Sequence, residues 1–163
     1  MKTNIKFAKV KPNAKMPSKR DEDMGFDIYA CFDEDYMVIG PHETKLIPTG
    51  IASSCDPEYG FLLRERGSTG SKGIALRCGV IDSGYRNEWF VGLTNTTNKM
   101  MYISKLSEHV DMMLESFVYP YSKAIAQALV IPVPEVEVEE ISYEELQAIP
   151  SERGLGALGS SGK

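Results

Sequence analysis

Residues 26–47 read FDIYACFDEDYMVIGPHETKLI, and the punctuation of this stretch decides the fold class. Three short strand-like runs, Phe26 to Cys31, Tyr36 to Ile39 and Thr44 to Ile47, are separated by an acidic break and by Gly40-Pro41, residues that favour turns over ladders. The same rhythm continues outward. Upstream, Ile5 to Val10 alternates, with Ile5 and Phe7 on one face. Downstream, Phe61 to Arg64 follows the turn Glu58-Tyr59-Gly60. Gly79 to Asp82 and Trp89 to Thr94 then flank Ser83-Gly84-Tyr85-Arg86-Asn87, which reads as a hairpin with a Gly-containing loop. Ile125 to Val133 is an apolar run stopped by Pro132 and Pro134, after which Val136 and Val138 alternate with Glu135, Glu137 and Glu139 as an edge strand does when one face is wet. Many short strands at this spacing predict an all-β domain, a jelly roll or small barrel. Two segments break the pattern. Leu106, Val110, Met113, Leu114 and Phe117 fall at helical spacing and predict a helix over Lys105 to Phe117. Ser142-Tyr143-Glu144-Glu145 fits a capping box and predicts a second, short helix.

The chain's 163 residues suit one domain with a real core. We expect it to occupy residues 1–150, with 151–163 a flexible Gly/Ser-rich C-terminal arm. Hydrophobic content of 42% and charged content of 25% exclude a disordered class. A net charge of −5 argues against general nucleic-acid binding, although a polyphosphate needs only a local cluster of donors. Cys31, Cys55 and Cys78 are odd in number, widely spaced and unpaired by any CxxC pattern, as expected of reduced, buried thiols in a cytoplasmic protein. His42 and His109 are the only histidines, which leaves little material for a His-built metal site or a Ser/His/Asp triad. The basic first twenty residues make no signal peptide, and no run approaches the ~18 apolar residues of a membrane span, so the chain reads as soluble.

Three glycine-rich segments carry candidate chemistry. Arg66-Gly67-Ser68-Thr69-Gly70-Ser71-Lys72-Gly73 combines hydroxyls, cations and glycines that let backbone N–H groups converge on an anion. It lacks the Walker spacing and no helical pattern follows, so a flexible loop is the competing reading. Gly79-Val80-Ile81-Asp82-Ser83-Gly84-Tyr85 puts one carboxylate and one aromatic at a hairpin tip, where an Asp also commonly serves Asx-type turn bonds. Arg153-Gly154-Leu155-Gly156-Ala157-Leu158-Gly159-Ser160-Ser161-Gly162-Lys163 is either a terminal tail or a lid over phosphates.

The order of these segments is more informative than any one of them. Gly25-Phe26-Asp27-Ile28-Tyr29-Ala30, Pro48-Thr49-Gly50-Ile51, the Arg66 loop, Gly79 to Arg86, Ala126-Gln127 and the Arg153 tail resemble the ordered motifs of the trimeric dUTPase family, over nearly the whole chain. The resemblance implies a jelly-roll homotrimer with three active sites at subunit junctions, hydrolysing dUTP to dUMP and pyrophosphate with Mg²⁺. It implies that the backbone of Gly79, Val80 and Ile81 pairs with the uracil edge and that Tyr85 packs under the deoxyribose. Asp82 holds the attacking water as general base, and Asp27 is a second catalytic carboxylate near the metal, reached through water. Arg66, Gly67, Ser68 and Gln127 match phosphate-contacting positions, and Arg153, Leu158, Gly159, Ser160 and Ser161 match the arm that closes over bound nucleotide. Leu158 stands where the family has an aromatic that stacks on uracil, and Ala124 stands where it has a basic residue. The long stretch from Thr96 to Tyr121 resembles the insertions of phage-type members.

Two other functions fit the same frame. A dCTP deaminase needs a glutamate on the strand after the hairpin, where this chain has Gly92; Glu88 lies on the same face but about 13 Å away. A regulatory protein on the dUTPase fold would bind a repressor or other partner in a nucleotide-dependent way, using the inserted segment.

Overall fold

The computed structural model describes residues 3–106 and 115–156. Twelve strands and two short helices follow one another: β1 (Lys6–Lys9), β2 (Gly25–Ile28), β3 (Tyr36–Ile39), β4 (Thr44–Pro48), β5 (Ile51–Ser54), β6 (Tyr59–Arg64), α1 (Gly67–Gly70), β7 (Ile74–Arg77), β8 (Val80–Ile81), β9 (Phe90–Asn95), β10 (Met100–Ser104), β11 (Ser116–Pro120), β12 (Ala126–Pro132) and α2 (Tyr143–Ala148). They form four small sheets ordered β1-β5, β11-β10-β3, β2-β12-β6-β8 and β4-β9-β7. This is the all-β, jelly-roll-like architecture that the spacing of turns predicts.

One core unites the sheets. Ile28, Ile39, Ile47, Phe61, Leu63, Ile74, Val91, Leu93, Met101, Ile103 and Tyr119 are buried together around Trp89 and Phe32. Each comes from the inward face of its strand, so period-two alternation puts about one residue in two into the core. Phe7 of β1 joins by edge-on ring contacts to Phe26 and Trp89, both with ring centroids 5.7 Å apart. Cys31 and Cys55 are buried, and burial raises both thiols above their ordinary pKa; Cys78, against expectation, is exposed.

Pairing differs from the sequence expectation in three places. β8 and β9 do not zip into a hairpin. β8 pairs with β6 and β9 pairs with β4 and β7, so residues 82–89 form a corner between two sheets. Backbone bonds anchor its two ends separately: Leu63 N–H donates to the Gly79 carbonyl at 2.6 Å, and Trp89 N–H to the Ile51 carbonyl at 2.7 Å. The predicted helix over Lys105 to Phe117 fails at its end. Ser116 and Phe117 begin β11, which lies parallel to β10, and residues 107–114 lie outside the described residues. The predicted edge strand at Val136 and Val138 takes no regular structure; both side chains are exposed. Its alternation lacks a neighbouring strand to complete a ladder among the described residues.

Residues up to Val133 and from Pro134 onward form two compact units. In the second, Ser142 caps α2 as predicted: its hydroxyl accepts from Glu145 N–H at 3.2 Å and the Glu145 carboxylate accepts from Ser142 N–H at 2.8 Å. Neither helix is long and apolar enough to cross a membrane.

Candidate active site

Register across one sheet brings the first set of predicted residues together. In β2-β12-β6, Asp27 lies opposite Gln127 and Gln127 opposite Arg64, while Ser18 bridges to Asp27 from the other side. Directly opposed residues share a face, so this row presents Asp27 and Gln127 side by side although a hundred positions separate them. Just beyond the row the chain leaves β6 and winds into α1. The sequence offers a flexible loop here; the structure shows a capped turn. Thr69 is buried, its hydroxyl accepting from Arg66 N–H at 3.0 Å and donating to the Arg66 carbonyl at 2.9 Å.

That turn aims Arg66 at Asp27. The guanidinium Nε lies 2.9 Å from Asp27 Oδ1 and Nη2 lies 3.4 Å from Oδ2, a two-point ion pair in which both side chains are about one-third exposed. Nη1 donates to the Ala124 carbonyl and to Ser68 Oγ, both at 3.4 Å. The Ala124 carbonyl also accepts from the hydroxyl of Tyr119, whose burial raises its pKa. Gln127 Nε2 donates to the Glu65 carbonyl at 2.8 Å, and Glu65 Oε1 accepts from Leu76 N–H at 2.9 Å. The two backbone donors that bind its carboxylate, Leu76 and its own, hold the Glu65 pKa below its usual value.

Asp27, Arg66, Gly67, Ser68, Gly25 and Gln127 line a polar cavity of about 800 Å³, whose rim is the segment Ser18 to Met24. Sequence reasoning missed that rim. Its one signal was five consecutive charges, Lys19 to Asp23, just before the Gly25 motif. It also missed Glu65 and Tyr119, whose roles come from partners far along the chain.

The second set lies at the other end of the same sheet. β8 is an edge strand, so one side of the Val80–Ile81 backbone is unpaired among the described residues. With Asp82 and Ser83 these residues line a smaller cavity of about 250 Å³. A side chain at Gly79 would press against the Leu63 carbonyl at 2.7 Å, so only glycine allows β8 to approach β6. The following turn is closed by backbone: Tyr85 N–H donates to the Asp82 carbonyl at 3.1 Å. The Asp82 carboxylate has no hydrogen bond or ion pair among the described residues, so an Asx-type turn role is excluded. The Tyr85 hydroxyl donates to the Glu88 carbonyl at 3.0 Å, holding its ring at the corner. Arg86 donates to the Ser83 and Ser53 carbonyls.

The two cavities share no lining residue. Between β2 and β8 lie three strand spacings, roughly 14 Å, and the residues are offset along the strands by a further 10 Å or so. Of the third predicted set, Arg153 lies in a turn of the second unit and donates from Nε to the Gly156 carbonyl at 3.2 Å; Leu158, Gly159, Ser160 and Ser161 lie outside the described residues.

The deaminase position has little room. Gly92 is buried opposite Arg77, and a Cβ there would sit 3.0 Å from the Arg77 carbonyl, so a side chain at this position would need the neighbouring strand to shift. Glu88 is engaged elsewhere, accepting from Gly50 N–H at 2.7 Å. Nor do the described residues contain a cluster of three or more His, Cys, Asp or Glu side chains able to cage a metal. A lone carboxylate such as Asp27 fits a hard cation held mainly by a ligand's own oxygens and by water.

Comparison with known proteins agrees with this geometry. A family model described as dUTPase matches residues 12–108. The deoxyuridine 5'-triphosphate nucleotidohydrolase of Nautilia profundicola is 34% identical over 163 residues, covering 98% of this chain and 99% of that protein. The protein of the same name from Paraburkholderia xenovorans is 30% identical, covering 100% and 99%. Among solved structures, the dUTPase of Staphylococcus bacteriophage 80alpha with dUPNHPP superimposes with a TM-score of 0.76 at 24% identity, covering 98% of this chain and 99% of that one. By family match, relatives and fold together, the chain belongs to the dUTPase family.

Proposed function

We propose that this protein hydrolyses dUTP to dUMP and pyrophosphate in active sites shared between copies of the chain. The observation that carries the reading is the division of one sheet into two half-sites. Asp27, Arg66, Ser68 and Gln127 at one edge have the chemistry to hold a triphosphate. The free edge of β8, with Asp82 and Tyr85 beyond it, has the chemistry to hold a nucleoside. A general base must lie within hydrogen-bond reach of the water it activates, and roughly 20 Å separates the half-sites within one chain. The phosphate half of one copy therefore serves the nucleoside half of another, which supports a homotrimer.

In this reading the backbone along Gly79, Val80 and Ile81, on the side turned away from β6, pairs with the uracil edge, and cytosine, with donor and acceptor exchanged, leaves it unpaired. Tyr85 packs under the deoxyribose and its ring excludes a 2′-hydroxyl. The unengaged Asp82 carboxylate takes the proton of a water as it attacks the α-phosphorus; pyrophosphate leaves. Arg66, Gly67, Ser68 and Gln127 hold the phosphate oxygens. Arg153, Leu158, Gly159, Ser160 and Ser161 supply the terminal arm, residues 151–163, that closes over them and excludes water. Mg²⁺ bound to the triphosphate, with Asp27 reaching it through water, would supply charge neutralisation.

The test is pyrophosphate release from dUTP, dTTP, dCTP and UTP, with and without Mg²⁺, alongside light scattering. Mg²⁺-dependent turnover of dUTP by a particle of about three 18.1 kDa chains is the expected result. Ammonia from dCTP, or an active monomer, would overturn the reading.

A further inference from the structure

The rim of the larger cavity is built for a purpose that the Asp27 row does not explain. Residues 18–24 fold over themselves around Lys19, whose ammonium donates to the carbonyls of Arg20 at 3.0 Å, Asp21 at 3.4 Å and Asp23 at 2.9 Å. Asp23 N–H donates to the Arg20 carbonyl at 3.1 Å, and Arg20 N–H returns a bond to Asp23 Oδ2 at 3.1 Å. The turn is thus fixed by backbone and by Lys19, which has no donor to spare. Arg20 is different. It forks onto Asp23 through Nε at 2.9 Å and Nη2 at 2.8 Å, yet its side chain is 88% exposed. Two of the five guanidinium N–H donors are spent. The other three are unengaged among the described residues.

An exposed ion pair of this kind contributes little to stability, so folding does not account for its geometry. The charge of the cavity does. Its lining holds three cations, Lys19, Arg20 and Arg66, and three carboxylates, Glu22, Asp23 and Asp27. Lys19 is consumed by carbonyls and Arg66 is matched by Asp27. Arg20 alone combines an exposed positive charge with open donors, and Asp23 holds its plane at a fixed angle, as a clamp does for a planar fork. Arg20 and Asp27 line the same cavity, which places the guanidinium at the same site.

We propose that Arg20 is a further phosphate-binding residue of this cavity, contacting the β- or γ-phosphate of the bound nucleoside triphosphate through donors that Asp23 leaves free. The proposal rests on the dUTPase reading, and Lys19 acts only as the positioning residue that holds the rim. Asp23 orients the guanidinium but also opposes an incoming anion, so the two partners of one ion pair should differ in effect. A rim that merely scaffolds the cavity would lose from either replacement alike.

Calorimetric titration with dUMP and with dUpNHpp separates these cases, using wild type, Arg20→Ala and Asp23→Asn. Asparagine keeps one acceptor for Arg20 N–H and so preserves the turn. We expect Arg20→Ala to weaken dUpNHpp about tenfold, the low end for a hydrogen bond between charged groups, and to leave dUMP within about twofold. Asp23→Asn should bind dUpNHpp as tightly as wild type or more tightly. The Arg20→Ala defect should shrink in concentrated salt. Unchanged dUpNHpp affinity in Arg20→Ala, or equal losses in both variants, would overturn the role of Arg20 alone. Wild-type protein that binds neither nucleotide would instead overturn the dUTPase reading beneath it.

Discussion

Replacing Asp82 with Asn is the sharpest perturbation this structure offers, because the structural and chemical roles of the residue come apart. The turn that carries Asp82 is closed by its carbonyl, not by its carboxylate. The side chain is exposed and makes no hydrogen bond or ion pair among the described residues. Exchange for Asn should therefore change stability by no more than about 0.5 kcal/mol, as for surface positions outside any network. At 2–4 °C per kcal/mol for a chain of this size, the melting temperature should move by less than about 2 °C. Chemistry should respond on another scale. A positioned general base contributes about 10²–10⁴-fold, or about 2.7–5.4 kcal/mol of barrier at 1.36 kcal/mol per decade. The expected variant is folded, binds dUpNHpp within a few-fold of wild type, and releases pyrophosphate at least about a hundredfold more slowly. Thermal melting, calorimetry and pyrophosphate release under saturating dUTP measure the three quantities separately. Turnover within tenfold of wild type in a folded protein would refute the general-base assignment. A fall of many degrees with loss of binding would refute the claim that the carboxylate is structurally idle.

Two further outcomes follow from named contacts. Tyr85→Phe removes only the 3.0 Å bond to the Glu88 carbonyl, costing about 0.5–1.5 kcal/mol, and should keep the preference for dUTP over UTP; Tyr85→Ala should narrow that preference, and an unchanged ratio of kcat/KM values would refute the sugar-packing role. Glu65→Leu leaves the Leu76 N–H unpaired and should cost about 1–3 kcal/mol, seen as a lower melting temperature that Glu65→Gln largely restores. Because the folded pKa of Glu65 lies below the ordinary 4.5, its advantage over Gln is fully present above that value and lost as pH falls through the lower folded one; a pH-independent gap between wild type and Glu65→Gln would refute this.

How much of this was legible in the sequence depends on whether the information was local. β3 and β4 were readable because Gly40-Pro41 and Pro48-Thr49-Gly50 bound them, and α2 because Ser142 and Glu145 cap it within four residues. The corner at residues 82–89 was misread because its flanking strands look like hairpin arms. Their true partners, Phe61 and Leu62 for β8 and Ile47 to Pro48 for the start of β9, lie elsewhere in the chain. The helix expected to Phe117 failed for a related reason: a short apolar run fits period 3.6 as easily as a strand, and the parallel partner of β11 decided the matter. At the candidate site, Asp27, Arg66, Gln127, Asp82 and Tyr85 were found through the order of their motifs, not through periodicity. Glu65, Tyr119 and the Lys19–Asp23 rim carry no such order and became visible only through their partners in the fold: Gln127 for Glu65, the Ala124 carbonyl shared with Arg66 for Tyr119, and the common cavity for the rim.

The corner that defeated the hairpin reading is also what would make the proposed nucleoside half-site workable. A zipped β8-β9 ladder would satisfy the backbone of Val80 and Ile81 from within and leave nothing for a base edge to pair with. Sending β9 to a different sheet leaves that edge open, while Gly79 against the Leu63 carbonyl and Trp89 against Ile51 fix both ends of the opening. At the opposite edge the logic is inverted. Asp27 and Arg66 are matched to each other at 2.9 Å, as are Asp23 and Arg20, so each charge is held in a defined direction by a partner within the chain. On the proposed function, the phosphates of a bound nucleotide meet guanidinium groups already held in place, Arg66 by Asp27 and Arg20 by Asp23. On the proposed function, one edge recognises by open backbone and the other by charges held in fixed directions, and their separation across a single sheet is why neither half suffices within one copy.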